Sequence, residues 1–577
     1  MSPARTLGRS PFIAPLVSLI PLACLGLGAC HRAESRAPAA DDAPESRASA
    51  SDAPKLDVAF LRDFTAAFSA DELAGRLPGS EGGELAVAQL ISTMAAIGLE
   101  PAGEDGGWTQ RVTMRGVTLD REASKLELVP TKGPSKGEAE GFVFGEDWVG
   151  TSFAAGGEHL VDAELVFLGY GVTAPEYQWD DYAGADVKGK IAVVFVGDPP
   201  TEDGSFGGPA MTYYGRWTYK YERALAAGAA GCLVIHEDEP ASYGWNVPQT
   251  SYSSERFHVL DGQGQPPAAM NLRGWISAEA ADALAQRGGK SLAQWHEMAM
   301  RNVFQPVQVG AKLSGALITS ERSVADVNVL GRLPGTTQPE RAVFLAAHWD
   351  HLGSDPEKIA AGEDGIYNGA VDNASGVATM LGVAAQLAED RRTGAAGLER
   401  SVVFLATTAE EQGLLGSRYW VNNPTMPLDD VVAVVNLDSM NVHGATRAVE
   451  VVGWGQTTLE DRLIPLAANQ QRRVVPDTHP EAGSFYRSDH FPFAQVGIPA
   501  LYFHSSLDMV DGGVEAGEAI LAGVRERYHT PADAFDPAWS FEGALQDALL
   551  VVALVRELAG SDADPAYKPS SEFAGKR

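Results

Sequence analysis

The residues best suited to hold a metal ion lie between two apolar segments near the middle of the chain. The run 342–347 predicts a buried strand and ends directly in His348. Asp372 follows a glycine-rich loop and precedes the stretch 377–387, which predicts a helix. A strand that ends at a histidine and a loop that ends at an aspartate can place nitrogen and oxygen atoms around one point. These are the ligand types of a catalytic zinc ion.

Further candidate ligands follow other predicted strands. Glu410 and Glu411 come after the strand expected at 402–407, and Asp438 ends the strand expected at 431–437. If these strands are parallel, their carboxyl ends meet at one edge of the sheet, where ligands bind in open α/β folds. Additional strands are predicted at 327–330, 449–452 and 500–503, and helices at 412–421 and 544–558. The predicted fold class is α/β, with a mixed, mainly parallel sheet flanked by helices.

The order of these residues along the chain resembles the co-catalytic zinc site of M28-family aminopeptidases. The resemblance rests on His348-x-Asp350, Asp372-Asn373, Glu410-Glu411, Asp438 and Tyr528-His529. It implies two zinc ions as cofactors. His348 and Asp438 would hold one ion, and Glu411 and His529 would hold the other. Asp372 would bridge the two ions.

The same resemblance implies roles for residues that are not metal ligands. Glu410 matches the general base, which takes a proton from a metal-activated water and gives it to the leaving amine. Asp350 matches the carboxylate that orients the ligand histidine. Tyr528 can donate its phenolic hydrogen to a developing oxyanion. A cis peptide bond is implied between Asp372 and Asn373.

Each motif also has an ordinary interpretation when it is taken alone. A single His-x-Asp at a strand end is more often a surface pair, and Glu410-Glu411 alone is typical of a solvated helix start. The joint order at strand ends favours the metal site. The remaining candidate histidines are predicted to be ordinary or supporting residues: His351, His443, His479, His490 and His504. The segment 485–493 also resembles the family and is predicted to line the substrate pocket.

The N-terminal segment predicts export. Residues 1–29 contain an early Arg5 and Arg9 and an apolar stretch too short and proline-rich for a membrane span, as in a signal peptide. Leu27-Gly28-Ala29-Cys30 resembles the lipobox of bacterial lipoproteins, which implies a lipid on Cys30. An ordinary secretory signal is the alternative. Because His31 follows, the resemblance favours the outer membrane, facing the periplasm or the cell surface. Residues 30–55 predict a disordered tether.

The remaining chain predicts an interrupted catalytic domain. Residues 56–124 form its first part, with helices expected at 57–68 and 84–97. Residues 125–320 change to short strands and Gly/Pro turns, and they resemble the protease-associated (PA) domain often inserted in M28 peptidases. Residues 321–562 form the zinc peptidase domain, and 563–577 form a C-terminal tail. Cys232 has no partner if Cys30 is lipidated, so no disulfide is expected.

Composition and missing motifs exclude several functions. The net charge of −32 leaves no basic surface for nucleic acid. The sequence has no G-x-S-x-G, P-loop or H-E-x-x-H motif. The predicted function is therefore a di-zinc aminopeptidase acting on peptide or protein N-termini, attached to a membrane only through the lipid on Cys30. Three alternatives remain: a glutaminyl cyclase-like enzyme, a carboxypeptidase-type relative and a non-catalytic peptide-binding receptor.

Overall fold

A mixed sheet carries the segments that the sequence marks as ligand-bearing. The computed structural model describes residues 54–201, 205–260, 268–395 and 397–577. The centre of this first sheet is parallel, with its strands in the order Arg400–Thr407, Gln338–His348, Val431–Asn436 and Ala500–Ser505. Beyond Arg400–Thr407, antiparallel pairing adds Val307–Leu333, Thr109–Leu119 and Arg256–Val259. Beyond Ala500–Ser505 follow Ala448–Val452, antiparallel, and Arg473–Pro476, parallel to the preceding strand. The short strand Glu100–Pro101 pairs with the end of Val307–Leu333.

Helices cover both faces of the first sheet, which explains why its central strands are continuous apolar runs. In the strand Gln338–His348, Leu345 packs in the core on one face and its neighbour Phe344 packs in the core on the other. The first face is covered by Val58–Phe68, Glu81–Ile97, Gly376–Thr393, Leu459–Asn469 and Glu542–Ala559. The second face is covered by Leu415–Asn422, His490–Gln495 and the buried Phe573 of the C-terminal segment. The predicted fold class is confirmed.

The structure confirms the strands predicted at 327–330, 342–347, 402–407, 431–437, 449–452 and 500–503. Most of the predicted ends lie within two residues of the observed ends. The exceptions are both ends of 327–330, which lies inside Val307–Leu333, and the start of 342–347, which is Gln338. The helix expected at 412–421 instead begins three residues later, as Leu415–Asn422. Ala409 and Leu414 adopt positive φ angles of 53° and 62°, and the Gly413 amide donates to the Glu410 carbonyl oxygen at 2.8 Å. A tight turn therefore occupies the expected first helical turn, and it holds Glu410 and Glu411.

A second sheet is built mainly from residues 125–320, called the inserted region because they separate the two parts of the predicted catalytic domain. Its strands are, in spatial order, Glu140–Phe142, Lys125–Pro130, Val307–Leu333, Glu158–Phe167, Ile191–Phe195, Gly231–Ile235, Leu272–Ile276 and Trp148–Thr151. The strand Val307–Leu333 belongs to both sheets and runs through position 320 without interruption. The strand Arg256–Val259 leaves the inserted region to pair with Thr109–Leu119 of the first sheet. Hydrogen-bonded backbone thus joins the two sheets.

Seven further α-helices and two short hairpins lie in the described residues. The other helices are Trp217–Ala226, Asp238–Ala241, Asn246–Ser253, Ala278–Arg287, Leu292–Ala299, Pro356–Ala361 and Gly513–Arg527. Two short hairpins are formed by Thr173–Ala174 with Trp179–Asp180 and by Gly353–Ser354 with Ile366–Tyr367. Cys232 is a buried free thiol.

The predictions for the signal peptide, the lipid on Cys30 and nearly all of the tether fall on residues 1–53, which lie outside the described residues. Among the residues that are described, none of the helices has both the length and the apolar character required to cross a bilayer.

Candidate metal centre

The predicted ligands meet at one edge of the first sheet because the strands that carry them are parallel. His348 is the last residue of Gln338–His348, and Glu410 and Glu411 follow Arg400–Thr407. Asp438 lies two residues beyond Val431–Asn436. These three strands are parallel neighbours, so their carboxyl ends open onto the same crevice.

Asp372 and His529 reach this crevice from loops. Asp372 lies in the turn Ala370–Ser375, directly before the helix Gly376–Thr393, and its peptide bond to Asn373 is cis, as the resemblance implied. His529 follows the helix Gly513–Arg527 and has a positive φ of 57°. The structure therefore brings all five predicted ligands together.

The carboxylate of Asp372 lies between two histidines. Its Oδ1 is 3.1 Å from His348 Nε2, and its Oδ2 is 3.3 Å from His529 Nε2. Each imidazole faces a second carboxylate. His348 Nε2 is 3.5 Å from Asp438 Oδ1, and His529 Nε2 is 3.0 Å from Glu411 Oε2. Two nitrogen–carboxylate groups thus share Asp372.

These residues fit a transition metal of the zinc type. Ligand atoms of His348, Asp372 and Asp438 all lie within 4.8 Å of one another, as do those of His351, Asp372 and Glu411. Although it lies so close to carboxylate oxygens, the buried Nε2 of His529 has no hydrogen-bond partner within the described chain. A nitrogen atom that faces oxygen atoms without bonding to them is placed as a metal ligand would be. Imidazole nitrogen with carboxylate oxygen is a donor set that zinc accepts.

The electrostatics of the crevice also favour a cation. Burial lowers the pKa of His529, but Glu411 and Asp372 outweigh it and raise that pKa to about 10. Against the effect of burial, His348 and His529 hold the pKa of Asp372 well below its usual range. The field of the carboxylates thus stabilises positive charge at the imidazoles, and it would stabilise a divalent ion in the same place.

Glu410 differs from its neighbour Glu411. It is buried and lies within 4.8 Å of ligand atoms of His348 and Glu411, but it forms no ion pair within the described residues. Burial raises the pKa of Glu410 well above its usual range, and the charge of Glu411 adds to this effect. Such a carboxylate is suited to proton transfer.

Asp350 supports the crevice through its backbone and its side chain. His348 Nδ1 is 3.2 Å from the Asp350 carbonyl oxygen and 3.9 Å from Asp350 Oδ1. Asp350 Oδ1 accepts a hydrogen bond from the Glu410 amide at 3.1 Å. The carbonyl is therefore nearer to the ligand histidine than the carboxylate is, and the carboxylate fixes the Glu410 turn.

Tyr528 lies beside the cluster. Its ring stacks on the imidazole of His529, with ring centres 3.8 Å apart and an angle of 18° between the planes. The residue is 53% exposed, so it borders the opening of the site rather than its floor.

Several supporting residues were not predicted. Ser488 Oγ donates to Asp438 Oδ2 at 2.6 Å, and the carboxylate of Asp533 accepts from the amides of Val371 and Asp372 at 3.0 and 3.1 Å. His351 Nδ1 is 2.6 Å from Glu411 Oε1, in keeping with the supporting role expected for it. Ser488 falls in the family-like segment 485–493, which was the available signal. Asp533 follows His529 by four residues in a polar loop and gives no pattern of its own.

A buried guanidinium lies under the crevice. Arg76 donates to the carbonyl oxygens of Trp349 at 2.8 Å, Asn368 at 2.6 Å and Gly369 at 3.0 Å, and also to Phe68 at 2.6 Å. Burial lowers its pKa to about 10, although the nearby carboxylates, Asp350 first, oppose this shift. Arg76 thus ties the loop after His348 to the loop before Asp372. In the sequence it resembles any turn arginine.

The site opens into a pocket between the first sheet and the inserted region. The pocket has a volume of about 180 Å³, and Glu410, Glu411, Tyr528 and His529 line one part of it. The segment 485–493 contributes Tyr486 and Arg487, as expected for a pocket-lining segment. The opposite wall comes from the inserted region and is formed by Arg216, Trp217, Thr218, Tyr243, Val247, Pro248, Ser251, Tyr252, Arg256 and Trp275. A larger cavity of about 670 Å³ shares Trp217, Thr218, Gly413 and Arg418 with it.

Comparison with known proteins supports this site. Residues 328–553 match the model of peptidase family M28. A probable zinc metalloprotease of Pyrenophora tritici-repentis is 28% identical over 185 residues, which are 31% of this chain and 37% of that protein. The aminopeptidase YwaD of Bacillus subtilis is 26% identical over 405 residues, which are 68% of this chain and 69% of that protein. The chain thus spans little more than a third of the length of the first relative.

Among solved structures, an aminopeptidase from Aneurinibacillus sp. strain AM-1 has the same fold. The match has a TM-score of 0.50 at 18% identity and covers 90% of this chain and 95% of that one. The residues that match family M28 include all five predicted ligands of the crevice.

Proposed function

We propose that the protein is a di-zinc aminopeptidase that releases N-terminal residues from peptides. One observation carries the proposal. The carboxylate of Asp372 lies between His348 and His529, and each imidazole contacts a further carboxylate of its own. A shared carboxylate between two such groups is the arrangement that two metal ions require. The aminopeptidase name of the Bacillus subtilis relative supports the choice of substrate end.

The residues of the crevice would have different roles in the reaction. His348 and Asp438 would hold one zinc ion, Glu411 and His529 would hold the other, and Asp372 would be shared by both. When bound, the ions supply polarisation of the scissile carbonyl and a lower pKa for water. Glu410 would take the proton of that water and return it to the leaving amine, because it is buried beside the ligands without being one. Asp350 holds the Glu410 turn in place.

Tyr528 would donate a hydrogen bond to the oxyanion. Its ring is fixed by stacking on His529 at the pocket opening. Removal of one oxyanion donor costs about 10²–10³ in kcat. Tyr528→Phe is expected to show a loss at the lower end of this range, whereas an unchanged kcat would remove Tyr528 from the mechanism.

The experiment measures hydrolysis of a panel of aminoacyl p-nitroanilides by the wild type and by Glu410→Ala, with the zinc content determined on both. Glu410→Ala is expected to keep its zinc and to lose activity by about 10²–10⁴-fold or more. Full activity in this variant would contradict the mechanism.

The three alternatives give different products in the same assays. A glutaminyl cyclase-like enzyme would cyclise N-terminal glutamine without releasing a free amino acid. A carboxypeptidase-type enzyme would cleave N-blocked dipeptides and spare C-blocked ones. A peptide-binding receptor would bind peptides without turnover.

We further propose that the inserted region is a PA-like module that controls substrate access, since it supplies one wall of the pocket beside Glu410. We also propose that Cys30 carries a lipid and anchors the protein to the outer membrane, on the strength of the sequence alone. Labelling with radioactive palmitate in a bacterial host tests the anchor, because label is expected in the wild type and not in Cys30→Ala. Unlabelled wild type would overturn it.

A further inference from the structure

The pocket wall opposite the metal centre is rich in arginine, because Arg487 reaches from the segment 485–493 onto Ser242 and Tyr243 of the inserted region and joins the arginines there. Four arginines line the pocket, namely Arg216, Arg256, Arg418 and Arg487. The only carboxylates that line it belong to Glu410 and Glu411, which the metal centre uses. In a chain with a net charge of −32, this local excess of positive charge requires an explanation.

Three of these arginines have no acidic partner. Within the described ranges, Arg216, Arg256 and Arg487 lie within 4.0 Å of no carboxylate oxygen, although the charge of Glu411 acts on Arg256, whereas Arg418 lies 4.0 Å from Glu222. The Arg216 residue is only 8% exposed, and its Nε has no hydrogen-bond partner among the described atoms. The Nε of Arg487 is also unpartnered there, although its Nη2 donates to Ser242 Oγ at 2.6 Å and to the Ala241 carbonyl oxygen at 3.2 Å.

Burying a guanidinium without an anion is costly. The desolvation is large enough at Arg216 to lower the pKa of its side chain to about 9. Aromatic rings compensate only in part. Arg487 lies over the ring of Tyr243 at 5.6 Å, and Arg256 lies over the ring of Tyr252 at 5.8 Å. A bound anion would relieve this cost, and guanidinium groups are suited to bind a carboxylate with two hydrogen bonds.

The small pocket also restricts where that anion lies in the substrate. At about 180 Å³ it is below the ~300–1,000 Å³ of sites for drug-sized ligands. It extends from Glu410 and Glu411 to the arginines, so an anion bound there must be close to the bond being cleaved.

We infer that Arg216, Arg256 and Arg487 bind a substrate carboxylate about one residue beyond the scissile bond. The preferred substrates are then short peptides with a free C-terminus, or peptides with an acidic residue next to the cleaved bond. The inference rests on the proposed peptidase function, and it adds the substrate class to it.

The test uses four peptides that share an N-terminal leucine and carry different charges next to the bond. They are Leu-Leu, Leu-Leu-amide, Leu-Glu-amide and Leu-Lys-amide, and release of free leucine gives kcat/KM for each with the zinc-loaded enzyme. The wild type is expected to favour at least one carboxylate peptide over Leu-Leu-amide by about 10–100-fold, as the loss of a hydrogen bond to a charged group would give. Preference for Leu-Leu identifies the terminal carboxylate, and preference for Leu-Glu-amide identifies the side chain.

Variants assign this preference to the wall. The ratio of kcat/KM for the preferred carboxylate peptide to kcat/KM for Leu-Leu-amide is expected to fall towards one in Arg256→Met and Arg487→Met. Arg256→Lys should recover part of this ratio. Arg322→Met is the matched control, because Arg322 already donates both hydrogen bonds to Glu255 at 2.7 Å and does not line the pocket. It should keep the wild-type ratio. A wild-type ratio near one, or a ratio that survives in both Met variants, overturns the inference.

A binding measurement separates this inference from the proposed function. Trp217 and Trp275 line the pocket, so their fluorescence reports occupancy without turnover. Tighter binding of Leu-Leu or Leu-Glu-amide than of Leu-Leu-amide, lost in Arg256→Met, supports the carboxylate wall even if no peptide is cleaved. Hydrolysis of all four peptides at equal rates with equal binding supports the peptidase and rejects the wall.

Discussion

The two walls of one small pocket carry opposite charge, and they solve the burial of charge in opposite ways. On the first-sheet wall, carboxylates and histidines lie within 3.0–3.5 Å of one another. On the opposite wall, Arg216 is buried and Arg256 and Arg487 are half-buried, and none of the three forms an ion pair among the described residues. The first wall is suited to hold metal cations, and we propose that the second receives an anion that arrives with the substrate. A peptide with a carboxylate close to its cleaved end would complement both.

The largest expected effect concerns the support beneath the first wall. Arg76→Met removes a guanidinium that donates to four carbonyl oxygens, and it leaves these buried acceptors unpaired. We expect the free energy of unfolding to fall by about 3 kcal/mol, measured by chemical denaturation. Arg392→Met is the control, since its exposed pair with Glu389 should contribute less than about 1 kcal/mol. Equal stability of the two variants would show that Arg76 does not hold the two loops together.

A smaller effect is expected from the hydrogen bond to Asp438. Ser488→Ala removes the donor at 2.6 Å from Asp438 Oδ2, so this carboxylate loses part of its orientation. Loss of such a contact typically lowers metal affinity by about 10–100-fold. Competition with a chelating dye measures this affinity, and Ser484→Ala, four residues earlier in the chain, is the control. Zinc affinity that stays at the wild-type value in Ser488→Ala would mean that Asp438 needs no such support.

The smallest expected effect is on the pH dependence of stability, because buried carboxylates in the two regions shift in opposite directions. Against the effect of burial, His529 and His351 lower the pKa of Glu411 to about 2. In the inserted region, burial raises the pKa of Asp181 to about 7, although the Val172 amide and Trp179 Nε1 donate to it at 3.0 and 2.9 Å. Because the folded pKa of Asp181 exceeds the unfolded one, its contribution to stability is complete below about pH 4 and is lost as the pH rises through about 7.

Asp181→Asn should therefore reduce the gain in Tm of the wild type between pH 7 and pH 5 by roughly 1–3 °C. Asp186→Asn, at an exposed site of the same region, should leave that difference unchanged. If the Tm of Asp181→Asn changed with pH as the Tm of the wild type does, the raised pKa of Asp181 would be refuted.

The first wall could be predicted from the sequence, and the second could not. His348, Glu410 and Asp438 follow buried parallel strands, which the sequence shows as apolar runs. The order of the motifs along the chain predicted the remaining ligands. Arg216, Arg256 and Arg487 come from separate segments with no common period, so only the tertiary structure places them on one wall. The roles of Arg76 and Asp533 were not predicted for a related reason. A single polar residue in a turn has the same sequence pattern as a solvent-exposed residue. The turn at Ala409–Leu414 also displaced a predicted helix start, because positive φ angles are not visible in the side-chain pattern.

Zinc stoichiometry tests the sharing of Asp372 most directly. The protein is saturated with zinc, dialysed, and measured by atomic emission for the wild type, Glu410→Ala and Asp372→Ala, with circular dichroism to verify folding. We expect two zinc ions per chain in the wild type and in Glu410→Ala, and less than one in folded Asp372→Ala. Retention of the full wild-type zinc content by Asp372→Ala would contradict it.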